Sequence, residues 1–181
     1  MARTVSITKE HLLESSVNII KTEGVEALTA RRLAKEAGCS TQPIFRVYSG
    51  MDELCEDVFG VVLGMYNDHC ASFNSSSDIP FVDLGLSYIA FAQENKELFR
   101  MLFVSDKRYG RSLYEMLNGD KGYVKNEISK AVSAGCKDGQ GLFMKMWIFI
   151  HGSACMSITG DYDLDTNATK ELLEAAERSF A

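Results

Sequence analysis

The sequence predicts an all-α protein, and three observations carry that prediction. Only two of its 181 residues are proline. Valine-threonine alternation of the kind strands need is rare. Apolar residues recur three and four positions apart along nearly the whole chain, which is the spacing of one helical face. At this length the chain can form one large or two small domains with a proper apolar core.

In residues 9–23, Leu13, Val17 and Ile20 make a stripe flanked by Leu12 and Ile19. Thr8 is an N-cap oxygen in front of it, Ile7 and Leu12 have staple spacing, and Gly24 ends it. A second helix starts on Thr29 and closes at Gly38, with Ala30, Leu33, Ala34 and Ala37 on its apolar face. A third starts at once on Ser40, which is expected to cap it, and carries Pro43 in the opening turn, where N–H groups lack intrahelical partners. This third helix, residues 40–48, has roughly two turns and is too short to be stable alone. It must dock on its neighbours, leaving its other face outside.

Ser49-Gly50-Met51-Asp52 has capping-box spacing and opens a longer helix through Cys70, with Leu54, Val58, Val61, Val62, Met65 and Tyr66 on the apolar side. The Ser-rich NSSSDIP at 74–80 reads as a linker. Helical stretches follow near 81–93, 95–104, 107–118 and 121–134. Two more cover 139–159, apolar nearly all round, and 166–180, with Leu172, Leu173, Ala176 and Phe180 on one face. The expected organisation is a three-helix domain over residues 1–50 and a larger helical domain over 51–181.

MARTVSITKEH has no apolar run before charge appears, and no uncharged apolar stretch reaches about 18 residues, so the expectation is a cytoplasmic protein without a membrane partner. The five cysteines are odd in number and lack the short paired spacings of a metal or redox site, so they read as reduced structural thiols and no metal or cofactor is expected. Net charge is −6. Residues 1–50 carry seven Lys/Arg against five Glu, however, while the remainder is strongly acidic. The basic side is the N-terminal one.

Helix, Gly-containing turn and short helix is the spacing of a helix-turn-helix, whose second helix enters the DNA major groove. Ala34 sits where the pair must approach closely, Gly38 is the turn, and Ile44 anchors the second helix. Arg31 and Arg32 lie in the first turn of the crossing helix, and Thr41, Gln42 and Arg46 offer donors on the outer side of the short one. Gln and Arg read base edges bidentately, and hydroxyls bind phosphate. A helical module that docks the short helix on protein is the rival reading, since helix pairs joined by Gly are common in all-helical proteins.

LTARRLAKEAGCSTQPIFRVYSGMDEL resembles the N-terminal DNA-binding domain of the tetracycline-repressor-like (TetR) family of bacterial transcriptional regulators, over about residues 7–60. The resemblance implies a repressor-like homodimer on a pseudo-palindromic double-stranded DNA operator. On that reading Thr41, Gln42 and Arg46 contact bases or groove, Thr29, Arg31 and Tyr48 contact the backbone, and Ser40 and Phe45 complete the DNA-facing set. Two positions depart from the family pattern, which often has Tyr at the place of Phe45 and Lys at that of Met51. The missing hydroxyl and cation predict a weaker sequence-independent grip.

Farther along, Trp147 through Gly152 looks like the Trp-x-x-x-His-Gly signature of one group of TetR-family effector domains. This implies a ligand-binding domain for a small-molecule effector, with the last two helices pairing across a dimer. Tyr66, Phe99, Phe103, Tyr114, Trp147 and His151 are the candidate pocket residues, with a plain core role as the alternative. No nucleophile has recognisable surroundings and no phosphate-cradling Gly loop is present, so no catalytic residues are expected.

Overall fold

Thr8 opens the first helix in the computed structural model, which describes residues 7–181; Arg3, counted in the basic N-terminal excess, lies outside the described residues. Its hydroxyl accepts the His11 N–H at 3.2 Å and starts α1, Lys9–Glu23, which Gly24 ends at φ 83°. A single 3₁₀ turn, Val25–Ala27, leads to Thr29, whose hydroxyl accepts the Arg32 N–H and starts α2, Ala30–Glu36. The short helix α3 spans Thr41–Val47 and the long helix α4 spans Met51–Ser72.

Farther along the chain come α5, Val82–Glu94, and α6, Lys96–Phe99, which widens into a π turn over Arg100–Val104. The Ser105 N–H donates to the Arg100 carbonyl at 2.9 Å, five residues back. Next are α7, Leu113–Asn118, α8, Tyr123–Ser133, α9, Gly139–Thr159, and α10, Thr166–Phe180. Among the described residues no strand occurs. The fold is all-α, with an N-terminal helix-turn-helix.

The chain forms two compact units. The first comprises residues up to Met65 together with Glu97–Tyr109, and the second comprises Tyr66–Lys96 and Gly110–Ala181. The core of the first is built from Leu12, Ile19, Ile20, Leu33, Ile44, Leu54 and Val58, all with no exposed surface. In the second, α5 lies against α9 and α10, and α8 lies against α9. A Cβ on Gly85 would stand 2.9 Å from Cδ1 of Ile150 and 3.0 Å from Cδ1 of Leu173, so the missing side chain is what lets α5 approach both helices.

Three expectations change at element ends. The stretch 107–118 is helical only from Leu113, because Tyr109 at φ 49° and Gly110 at φ 76° turn the chain into the left-handed region first. Ser112 then restarts it with a reciprocal capping box to Glu115. The capping carboxylate in front of α4 is Glu53 rather than Asp52, and it accepts both the N–H and the hydroxyl of Ser49 at 2.7 Å. The linker at 74–80 is tied down. Asp83 accepts the Ser75 hydroxyl at 2.6 Å, the Ser76 N–H at 3.0 Å and the Ser77 N–H at 3.3 Å, while Ser77 Oγ donates to Glu174.

Candidate nucleic-acid interface

Three short-range devices hold the helix pair α2–α3. Gly38 occupies φ 66°, where an L side chain is strained, and the Cys39 N–H donates to the Ala34 carbonyl at 2.9 Å. Ala34 and Ile44 are buried, so small and apolar residues sit where the helices approach. His11 of α1 reaches the Ala37 carbonyl from its Nε2 at 3.3 Å. The turn is thereby fixed to the first helix as well.

Ser40 stands at the N-cap of α3 in extended conformation but makes no side-chain capping bond. Counting from Ser40, Pro43 is the third helical residue and has no N–H to donate. The proline fits the first turn and also removes the donor that a capping hydroxyl would have taken. The cap expected from Ser40 is therefore absent, and its hydroxyl is exposed.

The remaining predicted residues separate by burial. Gln42, Phe45 and Arg46 are exposed on α3, Phe45 to 50 %, while Thr41 is half-buried. Thr29 and Arg31 are exposed at the start of α2. Arg31 and Arg46 make no ion pair among the described residues. Arg32 differs from its neighbour: its guanidinium contacts Glu23 at 2.6 Å and Glu36 at 2.8 Å, and the Glu23 hydrogen bond, followed by that of Glu36, holds it firmly protonated. It staples α1 to α2.

Tyr48 is only 2 % exposed, so its ring is buried rather than turned outward toward a phosphate. The Lys9 ammonium lies 5.5 Å from its centroid and pairs with Asp57 at 2.6 Å. Burial, with Asp57 and neighbouring carboxylates behind it, pushes the phenol pKa well up. Sequence reasoning missed Lys9 and Asp57 because they are 48 residues apart, and only the packing of α4 on α1 joins them.

The six pocket candidates are divided between the two units. Phe99 and Phe103 belong to the first unit and pack on each other with centroids 5.3 Å apart. Tyr114 lies 41 % exposed at the surface of the second unit, edge-on to Phe143. Tyr66, Trp147 and His151 do come together, through Tyr88, which no local sequence pattern singles out. Tyr88 packs edge-on to Tyr66 and Trp147, its hydroxyl lies 3.0 Å from His151 Nδ1, and His151 stacks on Trp147.

The free volume within this aromatic cluster is about 10 Å³, room for about one water. A larger open cleft of about 240 Å³ lies in the same unit, lined by Cys70, Phe73, Ser87, Tyr123, Asn126 and Lys130 among others. Leu84 borders both spaces. All five cysteines are free thiols and half-buried.

Neither a protein-family model nor a curated protein matches the sequence. Solved structures do match over nearly the whole chain. A protein of unknown function from Rhodococcus sp. RHA1 is 18 % identical with a TM-score of 0.71, covering 100 % of both chains. A TetR-like transcriptional regulator from the same organism is 15 % identical at a TM-score of 0.65, over 98 % of this chain and 96 % of its own. A TetR-family transcriptional regulator from Haemophilus influenzae RD is 18 % identical at 0.65, over 94 % of each chain. The protein thus has the fold of TetR-like transcriptional regulators.

Proposed function

We propose that the protein is a TetR-type transcriptional regulator that binds double-stranded DNA as a homodimer. The observation that carries this reading is the outer face of α3, where Gln42, Phe45 and Arg46 stand exposed while Ile44 holds the opposite face in the core, with Arg31 exposed at the start of α2 and in no ion pair among the described residues. A two-turn helix presenting a long amide and a guanidinium is suited to base edges in the major groove. Thr41, Ser40, Thr29 and Arg31 supply groove and phosphate contacts around it. Tyr48, being buried, takes no phosphate. Residues 1–50 hold the reading head, and 51–181 the effector and dimer functions.

The dimer reading draws on a stripe in the second unit. Met144, Ile148, Gly152 and Met156 recur every fourth residue along α9 and are all exposed, Ile148 to 66 %. A contiguous apolar row of this kind calls for a partner, and a second copy supplies the same row in an isologous contact. The matching operator is pseudo-palindromic, with half-sites about one helical turn or a multiple apart. Repression follows where that operator overlaps a promoter.

The effector enters through the open cleft of the second unit and parts the aromatic cluster past Leu84. It shifts DNA affinity only by its preference for one conformation.

Selection of bound fragments from random DNA tests the first part. A palindromic fragment whose affinity falls steeply with salt is the expected result; a chain that enriches no fragment is a protein-docking module instead. For the effector, Trp147 is the only tryptophan, so a cluster-entering metabolite changes its emission. A metabolite panel that weakens operator binding with no change in emission would place the effector elsewhere.

A further inference from the structure

Phe45 is the exception among the ten phenylalanines of the chain. The other nine are buried or half-buried, whereas Phe45 is 50 % exposed and makes no aromatic contact among the described residues. Its neighbour Ile44 is fully buried and anchors α3, so the phenyl ring is not what seats the helix. Single exposed apolar residues are ordinary on a protein surface, but this one has a particular place. Gln42 and Arg46 share a helical face at a spacing of four, and Phe45 lies three residues after the first and beside the second. Val47, the other exposed apolar residue of α3, is two positions farther on and turned away from that face.

The ring restricts what this face can recognise. A phenyl group has nothing to donate or accept, so a phosphate oxygen or a polar base edge held against it gives up water and gains no bond in return. One group in the major groove escapes that penalty. Thymine presents a 5-methyl carbon there, and apolar side chains pack on it. Uracil differs from thymine by that methyl alone, and cytosine presents a polar amine that the ring cannot satisfy. Along α3 the rise is about 1.5 Å per residue, so Phe45 stands only about 4.5 Å from Gln42, little more than one base-pair step of about 3.4 Å.

We propose that Phe45 is a specificity-determining residue of the reading head, its ring packed on the methyl group of a thymine in each half-site, within about two base pairs of the base addressed by Gln42 or Arg46. This rests on the DNA reading proposed above and adds to it the identity of one base.

The test uses the duplex enriched by selection from random DNA, resynthesised with deoxyuridine in place of each thymidine of a half-site in turn. The exchange removes one methyl group and keeps the base pair. Fluorescence anisotropy with the full chain should find a position where it weakens binding about fourfold, the worth of one buried methyl-sized group. Phe45→Ala should bind the thymine and uracil duplexes equally at that position, whereas Gln42→Ala should retain the difference. The alanine variant should melt with the wild type, because the ring is already half exposed. A change below about twofold at every position, or a fourfold loss that persists in Phe45→Ala, would overturn the assignment and leave DNA binding itself intact. Failure to enrich any duplex would remove it together with the DNA reading.

Discussion

At the residue scale, the two arginines that flank the helix turn are distinguished by what holds them. Arg46 is exposed on α3 and makes no ion pair among the described residues, so Arg46→Ala should cost about 1–3 kcal/mol on the selected operator and much less on random DNA. Arg31→Ala, at the start of α2, should weaken both substrates alike and reduce the slope of affinity against salt by about one. Fluorescence anisotropy on the two DNAs at several salt concentrations separates these outcomes. Arg32→Ala acts through stability instead, since it frees Glu23 and Glu36. Asp83 gives a pH prediction. Burial raises its carboxyl pKa, but the bonds from Ser75, Ser76 and Ser77 outweigh that and leave it below the ordinary 3.8. A depressed folded pKa means the contribution is complete above the unfolded value and disappears as pH falls through the folded one. Wild-type melting temperature should therefore fall more steeply than that of Asp83→Asn below about pH 4, and equal acid slopes would assign the acid transition to other groups. Residue-level placement was the least legible part of the sequence. Exposure of Gln42 and Arg46 follows from the helical period that buries Ile44, whereas the burial of Tyr48 depends on Lys9 and Asp57, which no local pattern connects to it.

At the element scale, the helices written most strongly in the sequence have the most predictable ends. The last two helices fill 139–159 and 166–180, as expected, because Asp138 and Asp165 cap them with side-chain bonds and long apolar faces run between. Ends set by tertiary packing were illegible. Tyr109 adopts a left-handed conformation that local propensity disfavours, and the resulting break shortens α7 to six residues. Two glycines test how element packing is achieved. Gly85→Ala pushes a methyl into Ile150 and Leu173, both buried, and should destabilise by about 1–3 kcal/mol in urea unfolding. Gly38→Ala meets no atom within 4 Å but carries φ 66°, so its cost is conformational, about 1 kcal/mol. A smaller effect at 85 than at 38 would mean that α5 relaxes away from α9 and α10.

At the scale of the whole molecule, the sequence made the fold class legible through the three- and four-residue period, and the helix-turn-helix through Ala34, Gly38 and Ile44 at fixed offsets. The interior of the second unit was less so, because whether Trp147 and His151 face a pocket or a core depends on Tyr88, 59 and 63 residues away in the chain. α9 shows how one helix reconciles two demands. It is long and apolar enough to cross a membrane by composition, with a mean hydropathy of 1.2, yet Leu142, Met146, Ile150 and Ala154 are buried against the rest of its unit. That leaves Met144, Ile148 and Met156 facing outward. A stable dimer needs about 800 Å² from each partner, so in the proposed dimer the row must recruit further surface around it. Ile148→Glu places like charges opposite each other across an isologous contact while disturbing little in the monomer, since the side chain is already 66 % exposed. Light scattering should then report a monomer with an unchanged circular-dichroism spectrum. Binding to the full operator should fall to the level of a single half-site, because the loss comes from the missing second reading head and not from the contacts of α3. A variant that stays dimeric at micromolar concentration would move the interface away from this face of α9.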